Sequence, residues 1–367
     1  GGQGRQPGST FKPFVLAAAL ESGIPITQRF PGPSKMTVDI EGVEYEVENY
    51  GGESFGNIDL VEATAKSVNT AYVQLAAEVG MRPIADLANK LGVTAEIEPH
   101  PAMSLGSEEV SPIDMARSYM TFANRGERIT PFFVERVEDA DGATIYTADP
   151  SRESVYPRQY ADLMNHVLSQ TIERGTGRAA DIGRDAAGKT GTTSNNTDAW
   201  FVGYTPRLGA AVWMGYKDGT SQRMESVHGR AVTGGGLPAQ IWAAFMEAAT
   251  ADLDTGEFEP PPEELLRAPQ ASTSSSVPAD ASSTTTSSTS STTSTTEPED
   301  GEDEGDDAGD EDGDEDEGVD STTTTTEPDD DEDDGTDPVP PSSTTTTAPS
   351  TTTTTAPGAA AADADTG

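Results

Sequence analysis

Residues 8–20 read G-S-T-F-K-P-F-V-L-A-A-A-L, in which a run of apolar side chains follows a serine and a lysine. Ser9 stands where the N-cap of a helix would, and the run ends at Gly23, a residue typical of the position just past a helix. Since residues three apart share one face of a helix, we expect Ser9 and Lys12 side by side. The stretch therefore predicts a short, largely buried helix that begins with a hydroxyl next to an amine.

The Ser9 and Lys12 pair suits nucleophilic catalysis. A lysine amine that is desolvated against an apolar helix can lose its proton and accept one from a neighbouring hydroxyl. The first backbone N–H groups of the helix have no partner within it, so they suit the anion of a tetrahedral intermediate. The pair predicts an activated nucleophile that needs no histidine.

Two further short motifs follow along the chain. Ser67-Val68-Asn69 has the form S-x-N, and Lys189-Thr190-Gly191 is K-T-G. Lys189, Thr190 and Thr192 fall on a predicted strand, where they offer a cation and two hydroxyls to a substrate carboxylate. Each motif alone arises easily by chance, so the weight comes from their order behind S-x-x-K and from the elements that carry them.

The hydrophobic pattern away from these motifs predicts an α+β fold. Alternating apolar residues predict one hairpin around Glu41-Gly42 and another around Asp141-Gly142. Helical periodicity covers residues 59–80, 83–91, 111–124, 158–174 and 238–249. Three alternating runs predict adjacent strands at residues 189–193, 199–204 and 210–216. Because the helices precede these strands, we expect an antiparallel sheet with flanking helices rather than a repeated βαβ unit.

Charge is distributed unevenly along the 367 residues. The chain carries 64 acidic against 22 basic side chains, a formal charge of −42, which disfavours binding to nucleic acid. Residues 268–367 hold 27 of the acids, no base and no aromatic residue, in a background of Thr, Ser and Pro. Such a composition cannot bury a core. We therefore predict a folded domain over residues 1–259 and a disordered acidic tail over residues 260–367.

The rare residue types limit the chemistry further. The chain has no cysteine and three scattered histidines, so thiol catalysis and disulfides are excluded and a zinc cluster is not expected. We predict no metal and no cofactor.

Two stretches match well-known motifs without the surroundings that those motifs need. Residues 183–190 (G-R-D-A-A-G-K-T) fit a phosphate-binding P-loop, and residues 52–56 (G-E-S-F-G) fit the nucleophile elbow of hydrolases. Both motifs require a buried strand directly before them and a helix directly after them, and neither stretch has both. We predict neither a nucleotide site nor Ser54 as a nucleophile.

Longer segments around the motifs carry a family resemblance. They read R-Q-P-G-S-T-F-K-P-F (5–14), N-Y-G-G-E-S-F-G (49–56), A-K-S-V-N-T (65–70), S-L-G-S-E-E-V-S-P (104–112), R-G-T-G-R-A-A (174–180), G-K-T-G-T-T (188–193) and D-A-W-F-V-G-Y-T-P (198–206). Over roughly residues 1–249 the chain resembles the transpeptidase domain of class A penicillin-binding proteins, and it thereby resembles the penicillin-recognising serine acyltransferases. The resemblance implies the penicillin-binding and β-lactamase type of transpeptidase fold.

The resemblance implies a role for each motif residue. Ser9 would be the nucleophile that becomes acylated, and Lys12 would be the base that accepts its proton. Ser67 would relay a proton to the leaving group, and Asn69 would hydrogen-bond the substrate backbone. Lys189 would support Ser67 electrostatically.

The resemblance also implies a reaction. Thr190 and Thr192, with Gly191 between them, would hold the substrate carboxylate, and the backbone amides of Ser9 and Thr192 would form the oxyanion hole. Ser9 would attack the D-Ala-D-Ala bond of a peptidoglycan stem peptide, D-Ala would leave, and an amine of a neighbouring stem would resolve the acyl-enzyme. β-Lactam antibiotics would act as inhibitors.

The family gives an expected setting. Its members work at the extracytoplasmic face of the bacterial cell membrane, and cell-wall synthesis or division proteins are the partners that it implies. Family members also carry a membrane anchor, a glycosyltransferase domain and several sheet strands before the serine helix. We expect the anchor and the missing strands to precede residue 1 in the parent protein, whereas these residues leave open whether a glycosyltransferase domain precedes it too.

Two other functions stay open from the residues alone. A serine β-lactamase shares the three motifs but needs a glutamate with a partner asparagine about four residues later. Glu108 and Glu109 lie in the right interval, yet Pro112 and Ile113 stand at the partner positions. A non-catalytic module would instead use the same fold to bind peptidoglycan or a partner protein.

Overall fold

The computed structural model describes residues 4–217 and 222–267. In this part of the chain the α-helices are α1 (Lys12–Glu21), α2 (Leu60–Ala65), α3 (Asn69–Val79), α4 (Met81–Leu91), α5 (Pro112–Ala123), α6 (Arg158–Glu173), α7 (Leu237–Ala249) and α8 (Glu263–Leu266). The strands in the same residues are β1 (Arg29–Gly32), β2 (Lys35–Ile40), β3 (Val43–Glu48), β4 (Gly56–Asp59), β5 (Glu127–Ile129), β6 (Arg136–Glu138), β7 (Thr144–Thr147), β8 (Arg152–Ser154), β9 (Ala187–Thr192), β10 (Asp198–Tyr204) and β11 (Gly209–Gly215). The chain divides into two units, Gly1–Ala279 and Asp280–Gly367, and all described residues belong to the first.

A three-stranded antiparallel sheet in the order β11-β10-β9 forms the middle layer of the core. Trp200 and Val202 of β10 belong to one buried cluster with α1, α3, α5 and α6, whereas Phe201 belongs to another cluster with Trp242 of α7. Because successive residues of a strand face opposite sides, helices cover both faces of this sheet. The predicted α+β class, with three adjacent strands and flanking helices, is confirmed.

Helix α1 is buried on all sides. All of its residues from Lys12 to Leu20 are buried, so it has no polar face. The prediction of a buried helix is confirmed, but Ser9 is not its N-cap. Ser9 lies in a 3₁₀ turn, Gly8–Phe11, and α1 begins only at Lys12. Pro13 explains the late start, since proline fits the first turn of a helix and has no N–H to leave unpaired.

The single helix predicted over residues 59–80 is wrong, because β4 ends at Asp59 and the chain then forms α2 and α3 with a short turn between them. Ser67 in that turn has a φ of +59°, a left-handed value that an α-helix does not contain. The Val68 amide donates to Ala63 O at 2.9 Å and closes the turn. Val68 is buried and keeps the apolar spacing across the turn, which hides the break from a periodicity analysis.

Both predicted hairpins are confirmed. β2 and β3 pair around Glu41 and Gly42, whose φ angles of +54° and +86° suit a tight two-residue turn. β6 and β7 pair around Asp141-Gly142. Within residues 4–217 and 222–267 no helix is both long enough and apolar enough to cross a membrane.

Residues 255–267 form a segment, here called the C-terminal strap, that packs onto the core. The ring of Phe258 lies edge-on to buried Tyr204, with centroids 5.7 Å apart. Leu265 and Leu266 of α8 pack against the same core. The packed chain thus continues past residue 259, because these side chains are partly buried against the core. The disorder predicted for the rest of the tail, residues 268–367, falls outside the described residues.

Candidate active site

A cavity of about 870 Å³ brings the three sequence motifs together. Its wall includes Ser9 from the 3₁₀ turn, Ser67 from the turn between α2 and α3, Asn69 from the start of α3, and Thr190 and Thr192 from β9. The remaining wall comes from the hairpin and loop at residues 45–55 and from the loops at residues 102–107 and 233–236. Residues that are far apart in the sequence therefore line one cavity.

Close main-chain contacts fix the turn that carries Ser9. Gly8 has a φ of +54°, and a Cβ on it would lie 3.1 Å from a carbonyl oxygen of β9. A Cβ on Gly191 would lie 2.3 Å from Pro7 O, and a Cβ on Gly106 would lie 2.2 Å from Gly8 O. Larger residues would force the backbone apart, so these glycines set the position of Ser9 against β9.

Lys12 is a fully buried amine beside the cavity. Its Nζ donates to Ser67 O and to Asn69 Oδ1, both at 2.7 Å, and lies 3.3 Å from Ser67 Oγ. The ring of Tyr72 lies 5.2 Å from the same atom. Burial, and then the charge of nearby Lys189, hold the pKa of the Lys12 amine well below its ordinary value. An amine of lowered pKa can accept a proton at neutral pH, as the predicted base must.

The hydrogen bonds of Lys12 go to Ser67 and Asn69 rather than to the Ser9 hydroxyl. Ser9 is half-buried and lines the cavity. Ser9 and the S-x-N motif therefore line the same cavity, and the amine of Lys12 is buried against the S-x-N motif.

The end of hairpin β2–β3 and the residue after it hydrogen-bond to the start of α3. Asn69 Nδ2 donates to Glu48 O at 2.8 Å, and the Thr70 amide donates to Asn49 Oδ1 at 3.0 Å. The side chain of Asn69 is thus fixed at both ends, by Lys12 and by the hairpin. Sequence reasoning did not single out Asn49. Its only signal was membership of the N-Y-G-G segment.

Lys189 is also fully buried, on strand β9. Its Nζ donates to Thr190 O at 3.2 Å, and burial lowers its pKa to about 7. The amine is therefore near half-protonation at neutral pH. Its charge is felt by Lys12, whose pKa it helps to lower.

Three hydroxyls line the cavity at β9 and the loop after α6. Thr190 Oγ1 lies 2.7 Å from Thr176 Oγ1, and Thr192 Oγ1 accepts a hydrogen bond from the Gly234 amide at 3.0 Å. A hydroxyl that accepts such a bond keeps its own proton for a ligand. Thr190 and Thr192 were predicted, whereas Thr176 and Gly234 were not. Thr176 lies in the R-G-T-G segment, whose only signal in the sequence was its place in the family resemblance.

The rejected motifs lie in other surroundings. Ser54 sits on an exposed loop, and residues 183–190 run into strand β9 rather than into a helix. Glu108, the nearest candidate for a lactamase-type base, is paired with His100 Nε2 at 2.6 Å. Among residues 4–217 and 222–267, no group of three or more acidic or histidine side chains is placed to hold a metal ion.

The fold and the cavity together define a class. A serine at the entry to a buried helix, a buried lysine bonded to S-x-N and a hydroxyl-lined edge strand are the layout of penicillin-recognising serine acyltransferases. Residues 3–232 match the penicillin binding protein transpeptidase domain. The chain belongs to the penicillin-binding protein transpeptidase family, and the resemblance to a class A member is confirmed.

Named relatives agree with this membership. Penicillin-binding protein 1A of Aquifex aeolicus is 33% identical over 264 residues, which cover 71% of this chain and 35% of that protein. Penicillin-binding protein 1A of Mycobacterium tuberculosis is 34% identical over 284 residues, which cover 71% of this chain and 34% of that protein. The chain thus spans about a third of the length of these curated relatives.

Solved structures show the same fold. The PonA1 protein from Mycobacterium tuberculosis in complex with penicillin V has a TM-score of 0.65 and 32% identity, covering 71% of this chain and 73% of that one. Penicillin-binding protein A from the same organism, in its ceftriaxone acyl-enzyme complex, has a TM-score of 0.58 and 26% identity, covering 68% and 61%.

Proposed function

We propose that the chain catalyses D,D-transpeptidation, the cross-linking of peptidoglycan stem peptides that end in D-Ala-D-Ala. The observation that carries the proposal is the buried amine of Lys12, bonded to Ser67 and Asn69 beside the cavity that Ser9 lines. Burying an amine lowers the stability of a folded protein, so a fully buried lysine indicates a functional role. A proton acceptor for a serine nucleophile is such a use.

In the proposed first half-reaction, Ser9 Oγ attacks the carbonyl carbon of the penultimate D-Ala, and neutral Lys12 takes the hydroxyl proton. The backbone N–H groups of Ser9 and Thr192 stabilise the oxyanion of the tetrahedral intermediate. When the C–N bond breaks, Ser67 Oγ passes its proton to the leaving D-Ala nitrogen and takes one from protonated Lys12, which thereby returns to its neutral form. An ester between Ser9 and the donor stem remains.

In the proposed second half-reaction, the amine of a neighbouring stem attacks that ester. The amine loses a proton through Ser67 and Lys12, a new amide forms and Ser9 Oγ regains its hydrogen. Asn69 aligns the donor peptide through its side-chain amide. Thr190, Gly191 and Thr192 hold the terminal carboxylate until D-Ala leaves.

The proposal extends to the setting of the chain. The reaction places residues 1–259, as the catalytic domain, at the extracytoplasmic face of the bacterial membrane, where peptidoglycan lies. Cell-wall synthesis or division proteins are the proposed macromolecular partners. β-Lactams are the proposed inhibitors, in keeping with the penicillin V complex of the similar PonA1 structure.

Fluorescent penicillin tests the proposal directly. The wild-type chain is expected to take up one label, on the peptide that contains Ser9, and to release it slowly. Ser9→Ala should abolish labelling without loss of fold, and the matched variant Ser54→Ala should label normally. A label on Ser54 or Ser67 would overturn the assignment of the nucleophile.

The same experiment separates the other candidate functions. Fast release of the label would indicate a serine β-lactamase, because only an activated water clears the ester quickly. No labelling of a folded wild-type chain would indicate a non-catalytic binding module.

A further inference from the structure

The cavity contains a hydroxyl that lies outside all three motifs. Thr176, in the loop between α6 and β9, lines the cavity and is exposed to it. Its Oγ1 lies 2.7 Å from Thr190 Oγ1, while Thr190 itself is only 5% exposed. Of the two paired hydroxyls, that of Thr176 is the more accessible to a ligand.

The hydroxyl protons of this pair favour a ligand that accepts hydrogen bonds. Each threonine hydroxyl carries one proton, and one of the two protons is used between Thr176 and Thr190. The other proton stays available to the cavity whichever residue donates, and the pairing polarises it. Thr192 adds a second free proton on the same wall, because its Oγ1 accepts from Gly234 N. A carboxylate, which accepts only, suits this set of donors.

The backbone around Thr176 is held tightly. The Thr176 amide donates to Ala65 O at 2.9 Å. A Cβ on Gly175 would lie 2.2 Å from Ala65 O, and a Cβ on Gly235 would lie 2.2 Å from Thr176 O. Ala65 is two residues before Ser67. The loop that carries Thr176 therefore contacts the chain next to S-x-N through Ala65 and strand β9 through Thr190. A side chain on such a fixed segment can meet a ligand at a defined position.

We propose that Thr176 is a substrate-binding residue whose hydroxyl, paired with that of Thr190, donates a hydrogen bond to the terminal carboxylate of the stem peptide. The same hydroxyl meets the carboxylate of a penicillin. This inference rests on the proposed function and adds to the carboxylate site a hydroxyl from outside K-T-G. In it Thr190 donates its proton to Thr176 Oγ1 and so acts on the carboxylate through Thr176, while Thr192 donates to the carboxylate directly.

The test combines two substitutions with two forms of one probe. Thr176→Val keeps the shape of the side chain and removes its hydroxyl, whereas Thr176→Ser keeps the hydroxyl. Benzylpenicillin carries the carboxylate, and its methyl ester does not. With benzylpenicillin, the valine variant should be acylated about tenfold to a hundredfold more slowly than the wild type, and the serine variant within about threefold of it.

The methyl ester supplies the decisive comparison. Wild type and the valine variant should react with the ester at equal rates, because the hydrogen bond in question has lost its charged acceptor. Thr147→Val, an exposed change on β7 outside the cavity lining, should leave both rates unchanged. Thr176→Ala gives the same comparison should the valine variant not fold.

The outcomes distinguish this inference from the proposed function. A folded wild type that benzylpenicillin does not acylate would remove the proposed function itself. A valine variant that is as fast as the wild type, or that slows benzylpenicillin and its ester equally, would overturn the role of Thr176 while leaving the proposed function intact.

Discussion

At the scale of single residues, the buried amine of Lys12 is the feature of the site that a substitution tests most directly. Lys12→Met keeps the length of the side chain and removes the amine that we propose as the base, so acylation is expected to slow by about a hundredfold to ten-thousandfold. Folding should survive, because an apolar side chain replaces a desolvated amine. The measurements are the rate of penicillin labelling and the urea midpoint.

Lys90→Met is the matched control. Lys90 is exposed and pairs with Glu21 at 3.3 Å, away from the cavity, so this variant should label at the wild-type rate. Wild-type labelling by Lys12→Met would exclude Lys12 as the base.

The second residue-scale prediction concerns pH. Burial lowers the pKa of Lys189 to about 7, whereas an unfolded lysine titrates near 10.4. Between these values the unfolded chain binds a proton that the folded chain has released, so Lys189 makes the free energy of unfolding rise with pH. The slope is up to about 1.36 kcal/mol per pH unit between the two pKa values. Below about pH 7 the slope vanishes, because both states carry the proton, and the cost of burying the charged amine is then present in full.

Lys189→Met should reduce that rise. Urea unfolding of wild type and variant at pH 7, 8 and 9 measures it. Lys12 contributes in the same direction, since its pKa is also lowered. An equally steep rise in both proteins would show that Lys189 is protonated throughout.

Motif residues were predictable from the sequence, whereas their supports were not. Ser9, Lys12 and Ser67 carry rare chemistry in a recognisable order. Asn49 and Thr176 have common side chains whose importance comes from a contact across the fold, with Thr70 and with Thr190 respectively. A single sequence contains no trace of such contacts.

At the scale of elements, the turn between α2 and α3 stores strain. Ser67 holds a φ of +59°, which costs a residue with a Cβ about 1 kcal/mol relative to glycine. Ser67→Gly and Ser67→Ala both remove the proposed proton relay. We expect the glycine variant to be more stable than the alanine variant by about 1 kcal/mol in urea unfolding. Equal stability of the two variants would show that this turn is unstrained.

The loop after the 3₁₀ turn at residues 101–105 gives a second element-scale prediction. Gly106 and Gly142 share a φ of +81°, but a Cβ on Gly106 would lie 2.2 Å from Gly8 O, whereas Gly142 has nothing within 4 Å. Gly106→Ala should therefore lose about 2 kcal/mol more stability than Gly142→Ala, and it should also slow acylation.

The pair is its own control, because both alanines adopt the same unfavourable backbone angle. Thermal melts and penicillin labelling of the two variants measure the difference. Equal losses would mean that the contact between Gly106 and Gly8 does not fix the nucleophile.

Elements were predictable where local chemistry decides them. Turn residues placed both hairpins, and Ser111-Pro112 placed the start of α5, where Ser111 Oγ accepts from Asp114 N at 3.2 Å. The break at Ser67 escaped prediction because the buried residues on either side keep a helical spacing. Tertiary contacts, chiefly the bond from Lys12 to Ser67 O, hold that break open.

At the scale of the whole molecule, the C-terminal strap and the acidic tail should behave differently. Ending the chain after Arg267 removes 27 acidic side chains, whose charge is screened beyond about 8 Å at physiological salt. The melting temperature and the rate of acylation are expected to stay the same. Ending the chain after Asp254 also removes Phe258 and the packed leucines of α8, so the melting temperature should fall by several degrees.

Differential scanning calorimetry on the three chains makes the comparison. A drop of several degrees, or a tenfold loss of acylation, on removing only residues 268–367 would show that the tail contributes to the domain.

The fold class could be read from the sequence, but the strap could not. Motif order and strand periodicity are properties of long segments, so they stay recognisable where the structure of single residues is ambiguous. Residues 260–262 are three prolines, and they resemble the tail in composition. Only the contacts of Phe258 and the following leucines show that the chain there still belongs to the core.

The glycine contacts around Ser9 limit how such a protein can evolve under an antibiotic. Gly8 and Gly106 line the cavity and Gly191 packs against Pro7 beside it, so a mutation at any of the three disturbs the shape that the natural substrate also needs. The loop after hairpin β2–β3 also lines the cavity and presents replaceable side chains, among them Tyr50, which is 64% exposed, and Glu53. Resistance mutations are therefore expected to collect in that loop, while the three glycines stay invariant across a treated population.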